Sequence, residues 1–113
     1  MTTGDIVLIP FPFAELTQLK ARPAVVIAET ADKYRDLIVA AVSSVIPTEL
    51  SRNEFVIFPD DRNGLRARSV IKVDRIVTTK SEHIITHLGV LSASDLETFV
   101  MLFRNLISDE TTE

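Results

Sequence analysis

Hydrophobic residues in this chain fall in short, β-branched runs divided by polar segments that carry proline, glycine or clustered charge. Six runs have the length and composition of strands: Asp5–Phe11, Ala24–Glu29, Leu37–Ser44, Glu54–Phe58, Ser69–Thr79 and Ile84–Leu91. The first is apolar on both faces, which predicts a strand that is buried or lies in an interface. Pro10 and Pro12 are expected to end it or to place it at a sheet edge. In the third run, Leu37, Val39, Ala41 and Ser43 share one face, and Ile38, Ala40, Val42 and Ser44 the other. The alternation of Ser69–Thr79 slips: Ile71 and Val73 share a face and Ile76 falls opposite, which predicts a bulge or sharp bend near Asp74 and Arg75. The stretch from Pro59 to Gly64 is a strong turn signal, and Lys80–His83 reads as one helical turn.

The period changes near the C-terminus. Leu96, Phe99, Val100, Phe103, Leu106 and Ile107 form an apolar helical stripe. Two caps compete for its start: Ser94 with Glu97 as a capping box, and Ser92 with Asp95. Short strands followed by one helix predict a mostly β fold, a small barrel whose core the helix closes, within one domain over residues 1–113. Residues 1–3 and 109–113 are expected to fray.

Composition narrows the function. A hydrophobic fraction of 46% supports a packed core. No apolar run approaches the ~20 residues that cross a bilayer, and the N-terminus lacks the basic start of a secretory signal. The absence of cysteine excludes disulfides, thiolate metal sites and cysteine nucleophiles, and fits a cytoplasmic protein. A formal net charge of −4 is not that of a general nucleic-acid coat. The cations are nevertheless grouped: Lys20 with Arg22, and Arg62, Arg66, Arg68 and Lys72. Charge segregation matters more than the total.

The segment Gly4–Glu29 reads as strand, loop, strand, and Arg22 stands where the chain enters the second strand, directly before Pro23. Proline holds the preceding residue extended. A guanidinium on so rigid a backbone suits phosphate; it equally suits a solvated strand end. His83 and His87 are four apart, the spacing of a two-histidine acid–base pair, or of solvated or interface histidines. Asp60 and Asp61 read as turn formers rather than metal ligands.

Gly4-Asp5-Ile6-Val7 followed by Arg22-Pro23-Ala24-Val25-Val26-Ile27 resembles the opening of the PemK/MazF toxins. Val39-Ala40-Ala41-Val42-Ser43-Ser44, Gly64-Leu65 with Ser69 to Thr78, and Gly89-Val90-Leu91-Ser92 agree in the same order. The resemblance implies an SH3-like β-barrel with a C-terminal helix. It implies a homodimer and a metal-independent, cofactor-free endoribonuclease that cuts single-stranded RNA and is neutralised by a cognate antitoxin. Arg22 matches the family's catalytic arginine. Ser43 stands where well-known members carry a catalytic threonine; it keeps the hydroxyl and lacks the methyl that stiffens χ1. The loop between the first two strands is shorter than in those members.

Metal-free RNA cleavage needs the 2′-hydroxyl aligned with phosphorus, charge on the phosphorane-like transition state stabilised, and a proton for the leaving 5′-oxygen. Arg22 suits the second task by bidentate contact. Ser43 suits donation to a non-bridging oxygen or orientation of the attacking hydroxyl, against the structural role of a serine bonded to nearby backbone. Ser44, on the other face, is the weaker candidate. Lys20, Arg66, Arg68 and Lys72 are candidates for guiding RNA, and Phe13 for stacking on a base, with Phe11 the more suited to packing. Two other functions stay open: a barrel that binds RNA or antitoxin without cutting, and a structural module that dimerises through its first strand.

Overall fold

The computed structural model describes residues 1–12 and 19–107. Six strands form: β1 (Asp5–Pro12), β2 (Leu19–Glu29), β3 (Leu37–Ser43), β4 (Glu54–Ile57), β5 (Ser69–Thr79) and β6 (Thr86–Val90). A 3-10 turn, Ser81–His83, precedes β6, and helix α1 (Ala93–Leu106) ends the described chain. The strands make one antiparallel sheet in the order β4-β5-β3-β2-β1-β6, curled into a half-barrel.

The curl has a local cause. Ala40 of β3 pairs with Ile76 of β5, while the next residue, Ala41, pairs with Lys72. One step on β3 therefore answers four on β5, and Val73, Asp74 and Arg75 are left out of the β3 ladder, where the slipped alternation predicts a bend. A bulge of this kind kinks its strand and sharpens the sheet twist.

Curling lets the central strands bury both faces. Ile6, Val25, Ala40, Val42, Ile57 and Ile71 form one core with Phe99 of α1. Val7, Ile9, Ala24, Val26, Leu37 and Val39 form a second on the opposite face, against Phe11, Val77 and Ile84. Ile6, Val7 and Ile9 are all fully buried. The two-faced apolarity of β1 is thus accounted for within one chain. The prolines lie at a sheet edge, the second of the two expected placements: β1 runs through Pro10 to Pro12, with β2 as its partner throughout. The β6 ladder stops at Leu8, so both prolines sit where β1 has one neighbour rather than two. The strand Leu19–Glu29 also begins earlier than its apolar run, because Lys20 to Pro23 pair with Phe11 to Leu8.

The connection between β4 and β5 is held from inside. Asn63 is fully buried. Its Oδ1 accepts from the Leu65 N–H at 3.0 Å and the Asp60 N–H at 3.3 Å, and its Nδ2 donates to the Phe58 carbonyl at 2.9 Å. Asp60 caps the same turn, its Oδ1 accepting from the N–H groups of Arg62 (2.8 Å) and Asn63 (2.7 Å). The turn lies tight on β6. A Cβ on Gly64, whose φ is +71°, would collide with the Leu88 carbonyl, and one on Gly89 with the Arg62 carbonyl.

Helix α1 starts at the second of the two competing caps. Ser92 is extended, and its Oγ accepts from the Asp95 N–H at 3.2 Å. Ser94 lies inside the first turn, so the Ser94–Glu97 capping box does not form. Ser92→Ala should therefore cost about 1 kcal/mol. Ser94→Ala should stay within about 0.5 kcal/mol of the parent. Urea melts of the two variants check this, and equal losses would contradict the observed cap.

Candidate active site

Arg22 lies on β2 opposite Ile9 of β1, with Pro23 opposite Leu8. The β1–β2 ladder and the fixed φ of Pro23 together hold its backbone extended. The side chain is half-buried. It lies at a cavity of about 330 Å³. Leu8, Pro23, Val42, Leu65 and Leu88 supply the apolar walls. Arg22, Arg66, Ser44 and Ser69 are the polar residues that line it, and Gly64 and Ala67 complete the lining. No aspartate or glutamate among the described residues lines it. Two arginines at an apolar-walled cavity with no acid among its described lining residues favour an anion, since low-dielectric walls strengthen the field at the charges.

The two consecutive serines take different places. Ser43 ends β3 opposite Val70 of β5. Its Oγ accepts from the Val45 N–H at 3.1 Å, which turns the chain out of the strand. The β2–β3 register pairs Ala24 with Ala41. Continued by two residues, it sets Arg22 across from Ser43. Ser44 falls on the other face, with Val42, and lines the cavity. It is exposed, and its hydroxyl makes no hydrogen bond among the described residues. By register Arg22 thus shares a face with Ser43, while Ser44 meets it only at the cavity, which both residues line.

The remaining candidates scatter. Arg66 lines the cavity, while Arg68 is exposed between Ala67 and Ser69, which do. Lys20 is exposed on β2, two residues from Arg22 and on the same face, about 7 Å along the strand. Lys72 lies away from the cavity, its Nζ 2.9 Å from Glu54 Oε2. Glu54 also accepts the Ser51 N–H, and this bond, ahead of Lys72, holds its carboxyl below the usual carboxylate range. Phe13 lies outside the described residues, and Phe11 is half-buried against the second core. His83 is exposed in the 3-10 turn, and His87 Nε2 is 3.5 Å from Asp5 Oδ1. Neither histidine lines the cavity. Among the described residues, no three histidine, aspartate or glutamate side chains are grouped to hold a metal ion.

Ser44 is the weaker candidate by sequence, and Asn63 escapes the sequence reading. Ser44 reaches the cavity because the turn over Gly64 and Leu65 builds a wall beside its face. Asn63, buried beneath that turn, anchors the wall; its signal was an Asn-Gly pair following Asp60 and Asp61.

None of the curated proteins matches the chain by sequence. Solved structures share the fold. An endoribonuclease in complex with its cognate antitoxin, from a mycobacterial species, superposes with a TM-score of 0.71 at 13% identity. That match covers 93% of this chain and 92% of the other. The Mycobacterium tuberculosis toxin MazF-mt6 gives a TM-score of 0.62 at 21% identity, over 88% of this chain and 93% of that one. The model of one family matches residues 2–106, nearly the whole of the described chain. On that match, the protein belongs to the PemK-like, MazF-like toxins of type II toxin–antitoxin systems.

Proposed function

We propose that this toxin is a sequence-selective, metal-independent endoribonuclease that cuts single-stranded RNA, messenger RNA in particular, in the cytoplasm. The observation that carries the reading is Arg22, backbone-fixed at a cavity that also holds Arg66 and has no acid among its described lining residues. One structural relative is itself an endoribonuclease bound to its antitoxin.

In the proposed step the 2′-oxygen attacks the adjacent phosphorus and gives up its proton to water. The bond from phosphorus to the 5′-oxygen breaks, and that oxygen takes a proton from water. The products are a 2′,3′-cyclic phosphate and a 5′-hydroxyl. Arg22 holds the non-bridging oxygens as their charge grows, which is where a preorganised donor lowers a barrier most. Its guanidinium stays protonated, so it stabilises charge and does not act as a base. Ser43, across from it by register, orients the attacking hydroxyl or donates to a non-bridging oxygen. Lys20 and Arg68 extend the positive charge along the approaching strand.

Arg22→Ala should slow single-turnover cleavage of a long single-stranded RNA in EDTA by at least ~100-fold, the scale of losing one such donor. Arg22→Lys should restore little, because a point charge cannot reproduce the planar fork. An unchanged rate in a variant with a parental melt would remove Arg22 from the chemistry. Absence of any cut by the parent protein would leave a binding barrel.

A homodimer fits the family. Both faces of β1 are already buried within the chain, so the contact must use other surface. Light scattering at micromolar concentration should give twice the mass of one chain; a monomer there contradicts the dimer.

The cognate antitoxin should cover the Arg22 cavity with a disordered acidic or amphipathic segment that folds on binding. Saturating antitoxin should then abolish cleavage and displace RNA. Full cleavage in its presence would place the contact elsewhere.

A further inference from the structure

We infer that Ser44, one residue beyond the position that the family resemblance assigns, is a substrate-positioning residue. Its hydroxyl donates to a non-bridging oxygen of an RNA phosphate held in the cavity by Arg22 and Arg66. The inference rests on reading that cavity as the RNA site.

Three observations carry it. The first is placement. Strand alternation puts Ser44 on the face opposite Ser43, beside Val42, and Ser44 lines the cavity to which Arg66 and, from the adjoining end of β2, Arg22 also contribute. The second is availability. The Ser43 oxygen already accepts the Val45 N–H, whereas the Ser44 hydroxyl is exposed and has no hydrogen bond among the described residues. The third is the character of the surroundings. The side chains beside Ser44 are apolar walls and two cations, with no carboxylate among the described lining residues. A phosphate oxygen entering there meets two charged forks, and the serine hydroxyl is a short-range donor beside them.

The arginines and the serine divide the work by range. Charge attracts any polyanion and fades with salt. A hydroxyl acts only at hydrogen-bond distance, so it fixes where the phosphate stops. That placement decides whether the neighbouring 2′-oxygen is in line with the phosphorus. Arg66 is exposed on a turn, but the turn is anchored by buried Asn63 and pressed on β6 at Gly64, so its backbone is set. Ser44 follows the end of β3 directly and is set by the sheet.

The test uses the full chain and two ligands. One is a long single-stranded RNA, for cleavage. The other is a fully 2′-deoxy oligonucleotide of mixed sequence, which lacks the nucleophile and reports binding alone. Ser44→Ala should raise the dissociation constant for the deoxy oligonucleotide about tenfold, the scale of one hydrogen bond to a charged group. The salt slope should stay parental, because no charge is lost. Arg66→Ala, in contrast, should flatten that slope. Ser44→Thr keeps the hydroxyl and should restore binding and cleavage. Ser43→Ala should slow cleavage more than it weakens oligonucleotide binding, because the deoxy strand lacks the hydroxyl that Ser43 would orient.

Parental binding and cleavage by Ser44→Ala would overturn the inference. So would a loss that Ser44→Thr does not restore, or a binding loss confined to Ser43→Ala. If the parent binds the deoxy oligonucleotide, Ser44→Ala weakens it, and yet no RNA is cut, the phosphate subsite stands and the nuclease reading fails. If Ser44→Ala binds and cleaves normally while Arg22→Ala abolishes cleavage, the nuclease reading stands and the Ser44 subsite fails.

Discussion

The constraint on which the rest depends is that β1, β2 and β3 are apolar on both faces. A flat sheet in water would leave one of those faces wet. Here the bulge in β5 bends the sheet, so that the far end of β5 and the residue Ile84 reach round to one face while α1 covers the other. Burial of an aliphatic side chain is worth about 1.5–3 kcal/mol. Ile6, Val7, Ile9, Val25 and Val26 are all fully buried, so the curl is strongly favoured. The same arrangement fixes where the site is. The sheet's two cores end near Arg22 and Ser43, and the polar residues begin where the apolar runs stop.

The second layer of the design is the β4–β5 connection. It carries no regular structure, yet it is one of the best-anchored parts of the chain. Buried Asn63 spends its amide on three backbone groups, and close packing at Gly64 and Gly89 excludes any side chain between the turn and β6. A buried amide left half-satisfied would cost stability, so this network favours one turn conformation. The result is a wall for the cavity and a fixed base for Arg66. Rigid support under a loop cation matters for phosphate placement, since geometry is what such a cation contributes beyond charge.

Much of this was legible because the strands are short and strongly patterned. The slip in Ser69–Thr79 located the bulge, and the alternation in Leu37–Ser44 assigned the two cores correctly, with Val39 in one and Val42 in the other. Boundaries were less legible where tertiary pairing overrode local composition. Lys20 to Pro23 look like loop, yet they pair with Phe11 to Leu8 and belong to β2. Ile84 and Ile85 look like strand, yet the Ile84 N–H closes the 3-10 turn on the Ser81 carbonyl and β6 starts after them. Between two acceptable caps, the choice of Ser92 depends on where the chain leaves β6, with the Leu91 N–H bonded to the Gly4 carbonyl. Local sequence carries no trace of that bond. The site was half-legible for a related reason. Alternation put Ser44 on the face opposite Ser43, which is correct, but only the folded turn at Gly64 makes that face a cavity.

Net charge illustrates the same point at the level of function. With sixteen acids against twelve lysines and arginines, the chain as a whole repels polyanions. At a Debye length of about 8 Å in physiological salt, however, an approaching phosphate responds to the few charges nearest it. Around the cavity those are Arg22 and Arg66, with Arg68 beside the rim. Lys72, farther along β5, is already matched to Glu54 and adds little net field. The overall negative charge weakens capture at a distance while the local field holds what arrives. Weak long-range attraction limits sequence-independent binding and leaves a larger share of affinity to short-range contacts. A site built in this way depends on hydrogen bonds and shape to choose among RNA segments, and it presents an acidic protein segment with the same small cationic target as a phosphate.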